Sequence, residues 1–250
     1  GKEAAPGQLQ AQELIETYNF HDHDANTEIY GLIGNPLEQS PSHQMHNAFF
    51  KKKRINAVYV KMPLLEEELP LFFKLAKQLR IRGLSVTMPF KEKLFDYIDC
   101  VEEKAIGAVN TLILDEKITG ANTDGQGALD AIGDVANKRC VIIGDGGASK
   151  AIAFEAKRRG AHITIISRRA QNLENIPEYD ILINTTPVAC PIDLSELLPR
   201  RVVMDINVLH TTTPFMLRAK ALGCRLIYGL EMFERQAHGQ FLRWGQTLSL

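Results

Sequence analysis

The residues with the clearest capacity for chemistry are the glycines of one short turn. Gly144, Gly146 and Gly147 follow an apolar run at residues 140–143, and Ala148 opens a stretch with helical spacing. Glycine allows tight bending and lets the backbone approach a phosphate closely, while the amides of a helix N-terminus favour negative charge. The sequence therefore predicts a strand, a turn and a helix that together bind the pyrophosphate of a dinucleotide.

The residues after the next apolar run, at 163–166, indicate which dinucleotide is bound. Proteins that bind NAD usually carry an acidic side chain at this point, which hydrogen-bonds the ribose 2′-hydroxyl. This sequence has Ser167, Arg168 and Arg169 instead. Because guanidinium groups bind a 2′-phosphate that a carboxylate would repel, the sequence predicts NADP. A glycine turn alone is more often an ordinary loop, so the prediction depends on the turn, the helix, the strand and the arginines together.

Composition argues against several classes of function. The chain has 250 residues, of which 45% are hydrophobic and 24% charged, and its net charge is −1. These values are typical of a soluble globular protein with room for one large or two ordinary domains, and they give no electrostatic reason to expect nucleic acid or an anionic membrane as partner. No apolar run approaches the roughly 18 residues that span a bilayer, and the polar start does not resemble a signal peptide.

The cysteines predict neither a metal site nor a disulfide framework. Cys100, Cys140, Cys190 and Cys224 lie far apart in the sequence and have none of the spacings of metal ligands. The pattern is typical of unpaired thiols in a reducing compartment.

Apolar runs alternate with stretches of helical spacing, which predicts two α/β domains with largely parallel sheets. In the first half we expect strands at residues 28–33, 57–62 and 83–87, helices at 46–53, 66–79 and 92–97, and a hairpin at 109–114 and 117–120. In the second half we expect strands at 140–143, 163–166, 180–184, 202–206 and 225–227, and helices at 126–132, 148–159 and 232–244.

Several short motifs together resemble the shikimate dehydrogenases. They are Gly34-Asn35-Pro36, Ser40-x-Ser42, His46-Asn47, Val86-Thr87-Met88-Pro89-Phe90-Lys91, Gly107-Ala108-Val109-Asn110-Thr111 and Asn122-Thr123-Asp124-Gly125. That family reduces 3-dehydroshikimate to shikimate with NADPH, in the aromatic amino-acid pathway. The resemblance implies a substrate-binding α/β domain at residues 27–124 plus 229–250, a Rossmann-like NADP-binding domain at 125–228, and a cleft between them.

The resemblance also implies roles for individual side chains. Lys91 becomes the proton donor in the reducing direction, and Asp124 the hydrogen-bonding partner that orients the substrate and Lys91. Taken alone, the two are better interpreted as a surface lysine and a helix-capping aspartate, and only the motifs reverse that interpretation. Substrate binding is implied for Ser40, Ser42, Thr87, Asn110 and Gln236, and contact with the nicotinamide side of the cofactor for Thr185 and Gly229. We expect the two serines to project from one loop toward the substrate carboxylate, although turn or capping roles are the alternative for all five substrate-binding residues.

Three positions depart from the family pattern. His43 stands where the family usually has proline, Ser85 where it often has asparagine, and Val208 where it usually has a tyrosine that hydrogen-bonds the substrate. Valine cannot donate that bond, so we expect an effect on affinity rather than on reaction type. We interpret His43 as a solvent-facing loop residue rather than a catalytic one.

Residues 1–26 show a second, weaker resemblance, to the end of a type I dehydroquinate dehydratase. It rests on Ala4-Ala5-Pro6-Gly7-Gln8 and a helical stretch that reaches Tyr18. It implies the dehydrogenase part of a fused, bifunctional enzyme in the bacterial cytoplasm, or in the plastid stroma if the source is a plant; a short N-terminal extension is the alternative. Two rival functions stay open, a quinate-preferring paralogue and a catalytically silent ligand sensor on the same fold.

Overall fold

The computed structural model describes residues 9–38, 40–167, 176–209 and 211–245, which form two compact units. The first unit takes the described residues of Gly1–Glu102, Val109–Ala121 and Arg243–Leu250. The second takes those of Glu103–Ala108 and Asn122–Leu242. Each unit is built around a β-sheet with its own apolar clusters.

Among its described residues, the first unit forms a six-stranded mixed sheet. The strands are β1 (Glu28–Gly34), β2 (Ala57–Pro63), β3 (Ile81–Val86), β4 (Cys100–Val101), β5 (Thr111–Leu114) and β6 (Ile118–Ala121). The α-helices are α1 (Ala11–Glu16), α2 (Ser42–Lys53) and α3 (Leu69–Ala76). The spatial order is β2-β1-β3-β5-β6-β4, with β1 parallel to β2 and β3, β5 antiparallel to β3 and β6, and β4 parallel to β6.

One face of this sheet packs against α3. Ile33, Leu84 and Val86 form an apolar cluster there with Leu69 and Phe73 of the helix. Residues 30–34 of β1 and 83–86 of β3 are buried, as expected of central strands that are covered on both faces.

The opposite face carries an aromatic cluster. Tyr30 of β1 and Tyr59 of β2 lie side by side in register, and Trp244 packs against both, with ring centroids 5.1 and 6.3 Å away. The indole Nε1 donates a hydrogen bond of 3.1 Å to the carbonyl of Leu112. Gly83 lies against the indole, where an added Cβ would overlap the ring. The tryptophan can occupy this position only because residue 83 has no side chain.

The second unit has, within its described residues, a five-stranded parallel sheet in the order β11-β10-β9-β7-β8. The strands are β7 (Arg139–Ile143), β8 (His162–Ile166), β9 (Ile181–Asn184), β10 (Val202–Asp205) and β11 (Arg225–Tyr228). The helices are α4 (Asp124–Ile132), α5 (Gly147–Arg158), α6 (Pro214–Ala221) and α7 (Gly229–Trp244), the last two residues of α7 belonging to the first unit. Two apolar clusters line this sheet, one with Ile142 and Ile152 and the other with Val141 and Phe215.

Each predicted strand is present within two residues of its expected bounds, but several predicted helices are wrong. The expected helix at 92–97 is a 3₁₀ turn at Phe95–Tyr97, because the amides here bond to carbonyls three residues earlier. The expected helix at 66–79 divides into a 3₁₀ turn at Glu66–Glu68 and α3. The sequence did not predict α6, which Thr213 caps by accepting a bond from the Met216 amide.

The predicted domain bounds differ from the two folded units. Residues 103–108, 122–124 and 229–242 lie in the second unit rather than in the first, where the prediction placed them. The assignment of substrate and cofactor to these stretches stays a prediction. None of the described helices is long and apolar enough to cross a membrane.

Gly83→Ala tests the packing of the tryptophan. We expect the free energy of unfolding to fall by about 1–3 kcal/mol, because the added methyl group overfills a packed core. Urea unfolding followed by tryptophan fluorescence measures this, since Trp244 is the only tryptophan in the chain. Gly146→Ala is the matched control, because its backbone is extended and its Cβ would meet no described atom within 4 Å. Equal stability of the two variants would contradict the packing described.

Candidate active site

Ser40 and Ser42 lie together after the end of β1. Their hydroxyl oxygens are 2.8 Å apart, and the Ser42 amide donates to the Ser40 hydroxyl over 3.3 Å. The expectation that both project from one loop is wrong in one respect, because Ser42 is the buried first residue of α2. The first turn of a helix favours an anion through its free amides and dipole. The serines therefore lie where a carboxylate would be stabilised by both.

His43 is not the solvent-facing loop residue that the sequence predicts. It lies in the first turn of α2, is 5% exposed, and stacks on Tyr18 with ring centroids 5.8 Å apart. Its Nε2 is 3.6 Å from a carboxylate oxygen of Glu13 in α1. Burial lowers the pKa of His43, the charge of Lys61 lowers it further, and Glu13 acts in the opposite direction. At neutral pH the ring is therefore mostly uncharged. Its contacts with Glu13 and Tyr18 connect residues 11–18 to the first turn of α2.

Thr87 and Lys91 lie on the turn that follows β3. The Thr87 amide donates to the Ile33 carbonyl over 3.0 Å, and the Lys91 carbonyl accepts a 2.7 Å bond from the Val109 amide. Phe90 is fully buried between them, whereas the side chains of Thr87 and Lys91 are half-buried. Main-chain hydrogen bonds thus hold the backbone of this turn in place.

Asn110 joins this group just before β5. Its amide donates to the Ala121 carbonyl over 3.0 Å, and its carbonyl accepts a 2.8 Å bond from the Val86 amide. Its side-chain Oδ1 accepts a 2.7 Å bond from the Thr111 hydroxyl, which orients the amide group. The first unit therefore brings five predicted residues to the edge of its sheet where β1 and β3 end: Ser40, Ser42, Thr87, Lys91 and Asn110.

Asp124 and Gln236 belong to the second unit. Asp124 is the first residue of α4, is 4% exposed, and donates its amide to Oδ1 of Asn122 over 3.0 Å. It is therefore not a side-chain cap preceding the helix, as the alternative interpretation held. Gln236 accepts a 3.3 Å hydrogen bond from the hydroxyl of Thr123. Since Lys91 belongs to the first unit, its partnership with Asp124 stays a prediction.

The glycine turn has the backbone geometry that a close approach by phosphate requires. Gly144 adopts a φ of +114°, and an added Cβ would overlap the Thr185 hydroxyl. Gly146 precedes α5 in an extended conformation with open space around its Cα. Gly147 and Ala148 form the start of α5, so their amides point out of its N-terminus. The structure thus fits the pyrophosphate of a dinucleotide at this turn.

A buried polar network fixes the loops beside the turn. Oδ1 of Asp205, the last residue of β10, accepts bonds from Asn184 (3.3 Å) and from the backbone and side-chain amides of Asn207 (3.0 and 2.8 Å). Oδ1 of Asn184 accepts two bonds from Thr186, and Asn207 donates to the Thr186 carbonyl over 3.1 Å. Burial raises the pKa of Asp205, and the amide donors act against that rise. The sequence analysis did not identify this network, although Asn184 and Asp205 each end an apolar strand.

Thr185 and Gly229 are the predicted contacts on the nicotinamide side. The Thr185 hydroxyl donates a 2.7 Å bond to the carbonyl of Ile143, which ties this loop to the glycine turn. Gly229 begins α7, and an added Cβ would overlap the carbonyls of Ile206 and Asn207. Both residues therefore have constrained surroundings, while their contact with cofactor stays a prediction.

The predicted 2′-phosphate site is described only in part. Ser167 is buried directly after β8, and Arg168 and Arg169 lie outside the described residues. Val208, where the family usually has tyrosine, is half-buried in the segment that follows β10.

The four cysteines are free thiols, and burial raises the pKa of Cys140 to about 11. Within the described ranges, no group of three or more histidine, cysteine or acidic side chains could hold a metal ion.

A Rossmann-like unit with a glycine turn and a second α/β unit with polar groups at its strand ends are the arrangement found in dinucleotide-dependent oxidoreductases. Residues 32–112 match the family described as the shikimate dehydrogenase substrate binding domain. The chain is 34% identical over 259 residues to shikimate dehydrogenase (NADP(+)) of Caldanaerobacter subterraneus subsp. tengcongensis, a match that covers 88% of this chain and 92% of that protein. It belongs to the shikimate dehydrogenase family.

Two further comparisons extend this result. A crystal structure of a shikimate dehydrogenase in complex with NADP+ matches with a TM-score of 0.83 and 34% identity, over 89% of this chain and 91% of the other. The shikimate biosynthesis protein AroDE of Chlamydia pneumoniae is 36% identical over 269 residues, which cover 97% of this chain and 55% of that protein. The chain thus spans about half the length of this relative. The predicted family and the predicted two-domain α/β class are confirmed.

Gly146→Ala tests the glycine turn as a cofactor site. We expect the Kd for NADP to rise about ten-fold or more, because the methyl group fills the space through which the pyrophosphate approaches the backbone. The same open space leaves the midpoint of urea unfolding unchanged when no cofactor is added. Titration of protein with NADP, followed by fluorescence or calorimetry, gives the affinity. Unaltered NADP binding would remove this turn from the cofactor site.

Proposed function

We propose that this protein catalyses the NADPH-dependent reduction of 3-dehydroshikimate to shikimate. The observation that carries the proposal is the group of hydroxyl, amide and amine side chains at one edge of the first unit's sheet, which includes Ser42, Thr87, Lys91 and Asn110. Such a set of donors and acceptors suits a small carboxylate with several hydroxyl groups. The family relatives named shikimate dehydrogenase (NADP(+)) support the same substrate and cofactor.

In the proposed complex, Ser40 and Ser42 donate to the substrate carboxylate at the N-terminus of α2. Thr87, Asn110 and Gln236 hydrogen-bond the ring hydroxyls, and their neutral side chains can both donate and accept. Binding by several fixed polar groups orients the carbonyl carbon for attack from one side.

Reduction of a ketone adds a hydride to carbon and a proton to oxygen. NADPH, when bound at the glycine turn, supplies the hydride. In the proposed reaction, Nζ of Lys91 donates the proton to the carbonyl oxygen as negative charge develops there, and the amine regains a proton from water. In the same proposal Asp124 accepts a hydrogen bond from the protonated amine of Lys91, which orients that donor, and accepts one from the substrate hydroxyl once it has formed. In the oxidising direction the neutral amine of Lys91 accepts the proton from the hydroxyl, and Asp124 again orients the two groups.

We further propose that the chain is the dehydrogenase part of a bifunctional dehydroquinate dehydratase/shikimate dehydrogenase. The support is the match to AroDE, and to a chloroplastic protein of Arabidopsis thaliana named as such a bifunctional enzyme. A bacterial cytoplasmic location, or a plastid stromal one in a plant, accords with that proposal. Mass spectrometry of the native protein, immunoprecipitated from its source, measures the length of the chain and tests the fusion.

The direct test of the activity is an absorbance assay in the oxidising direction, which follows the formation of NADPH or NADH. Shikimate or quinate is the substrate, and NADP or NAD the cofactor. The proposal expects the fastest reduction of the cofactor with shikimate and NADP. Faster reduction with quinate would favour the paralogue, and no reduction with any pair would favour a ligand sensor.

Lys91→Ala tests the proton donor. We expect kcat to fall by about two to four orders of magnitude, the usual cost of losing a general acid, with a much smaller change in substrate affinity. Lys93→Ala is the control, since Lys93 follows on the same segment and pairs with Glu66. Normal turnover in a folded Lys91→Ala variant would remove the lysine from the mechanism.

Asp124→Asn keeps the shape of the side chain and removes its charge, so it should lower kcat as well. An effect on KM alone would make Asp124 a binding residue.

Replacing Arg168 and Arg169 together with alanine tests the choice of cofactor. We expect the Kd for NADP to rise at least ten-fold, because charge-assisted bonds to the 2′-phosphate are lost, while the Kd for NAD changes little. Arg158→Ala is the control, because its guanidinium pairs with Glu155 on α5. Equal weakening of both cofactors would mean that the two arginines serve the fold or the pyrophosphate instead.

A further inference from the structure

Tyr59 is a fully buried phenol whose position is fixed on every side. Its amide donates to Oδ1 of Asn47 over 2.8 Å, and its carbonyl accepts from Nδ2 of the same side chain over 2.9 Å. Its ring stacks on His46 of α2, with centroids 4.1 Å apart and an angle of 8° between the planes. Trp244 packs against the ring as well. The hydroxyl at the end of this ring therefore has little freedom to move.

The packing of α2 on the sheet brings the tip of the Tyr59 side chain close to Ser42. Ser42 precedes His46 by four residues, so the two lie on the same face of α2. Tyr59 and Gly83 both pair with Tyr30, so they share one face of the sheet, and Ser85 lies two residues further along that face. The phenol ring thus lies between two serines, one from the helix and one from β3.

The hydroxyl of Tyr59 is a buried polar group that the described chain leaves unsatisfied. Its Oη has no hydrogen-bond partner among the described residues. Burial raises the pKa of Tyr59, and the hydroxyls of Ser85 and Ser42 act in the opposite direction, so both lie near the phenol oxygen. A buried hydroxyl without a partner is destabilising, because its hydrogen bonds to water are lost and not replaced. Most such groups in folded proteins are paired, and an exception needs an explanation.

We propose that the Tyr59 hydroxyl is a third donor to the substrate carboxylate, beside Ser40 and Ser42. This inference rests on the proposed function, because it takes the substrate to be a small carboxylate bound at the serines. A carboxylate has about four acceptor sites, so it can accept from all three hydroxyls at once. The phenol reaches the site already desolvated and held in one orientation, so its bond to an anion is formed without further ordering. Tyr59 then contributes to the recognition of the acid group and not to the transfer of hydride or proton.

Tyr59→Phe is the test, because it removes one oxygen atom and keeps the packed ring. We expect the KM for shikimate at saturating NADP to rise by about two- to ten-fold, with kcat little changed. The Tm without substrate should stay equal or rise, because a buried unsatisfied hydroxyl has been removed. Tyr30→Phe is the matched control: Tyr30 is the register partner of Tyr59 and contacts the same tryptophan, but its hydroxyl donates to Glu28 over 3.2 Å. The KM of the Tyr30→Phe variant for shikimate should match that of the unaltered protein.

A second substrate makes the test specific for the carboxylate. With the methyl ester of shikimate, which lacks the negative charge, Tyr59→Phe should change kcat/KM much less than with shikimate. An equal loss for both substrates would place the hydroxyl elsewhere and overturn the proposal. An unchanged KM for shikimate in Tyr59→Phe, or a fall in Tm and kcat together, would overturn it as well. If the unaltered protein does not oxidise shikimate with NADP, the proposed function itself fails, and this inference fails with it.

Discussion

One constraint shapes the sheet of the second unit: β9 and β10 are buried on both faces, and each carries its polar side chain only where the strand ends. In β9 and β10 the backbone groups are paired with neighbouring strands, and the interior side chains are apolar and buried. A polar side chain in the middle of such a strand would lack partners. Asn184 and Asp205 are the last residues of their strands, and Thr87 follows the last residue of β3. The candidate functional groups of each unit gather at one edge of its sheet.

The two units hold their functional loops in different ways. In the first unit, main-chain hydrogen bonds fix the backbone of Thr87, Lys91 and Asn110. In the second unit the side chains of Asn184 and Asp205 fix the loops that follow β9 and β10. The difference matches the two proposed ligands. A polyhydroxylated acid is recognised by side chains of several kinds, whereas a pyrophosphate is recognised by backbone amides.

The sequence predicts the strands well and the local helix boundaries less well. Strands such as β7 and β9 are short, continuous apolar runs, a pattern that burial enforces directly. The start of α2 was placed four residues too late, because Pro41 and Ser42 are common in loops, although proline is also frequent at the start of a helix. His43 was expected in solvent for the same reason, since a residue assigned to a loop is assumed to be exposed.

In the candidate site, too, features made of neighbouring residues could be predicted from the sequence, and contacts between residues far apart in the sequence could not. The glycine turn and the serine pair can be identified from sequence because each lies within a few consecutive residues. The bond between Asn184 and Asp205 joins residues 21 positions apart, and the neighbourhood of Ser42 and Tyr59 depends on a helix packing over a neighbouring strand. No local pattern contains such contacts, because they arise from tertiary packing. The partnership of Lys91 with Asp124 is a prediction from motif resemblance and remains one.

The contacts of His43 with Glu13 and Tyr18 join the N-terminal segment to the first unit. Sequence resemblance draws a boundary at residue 26, which would assign Glu13 and Tyr18 to a preceding domain or linker. In the structure both side chains lie against His43, one residue from Ser42. Residues 11–18 therefore belong with the first turn of α2, and the first unit includes them. A cut of the chain at residue 26 would separate His43 from both of these neighbours and expose the buried ring.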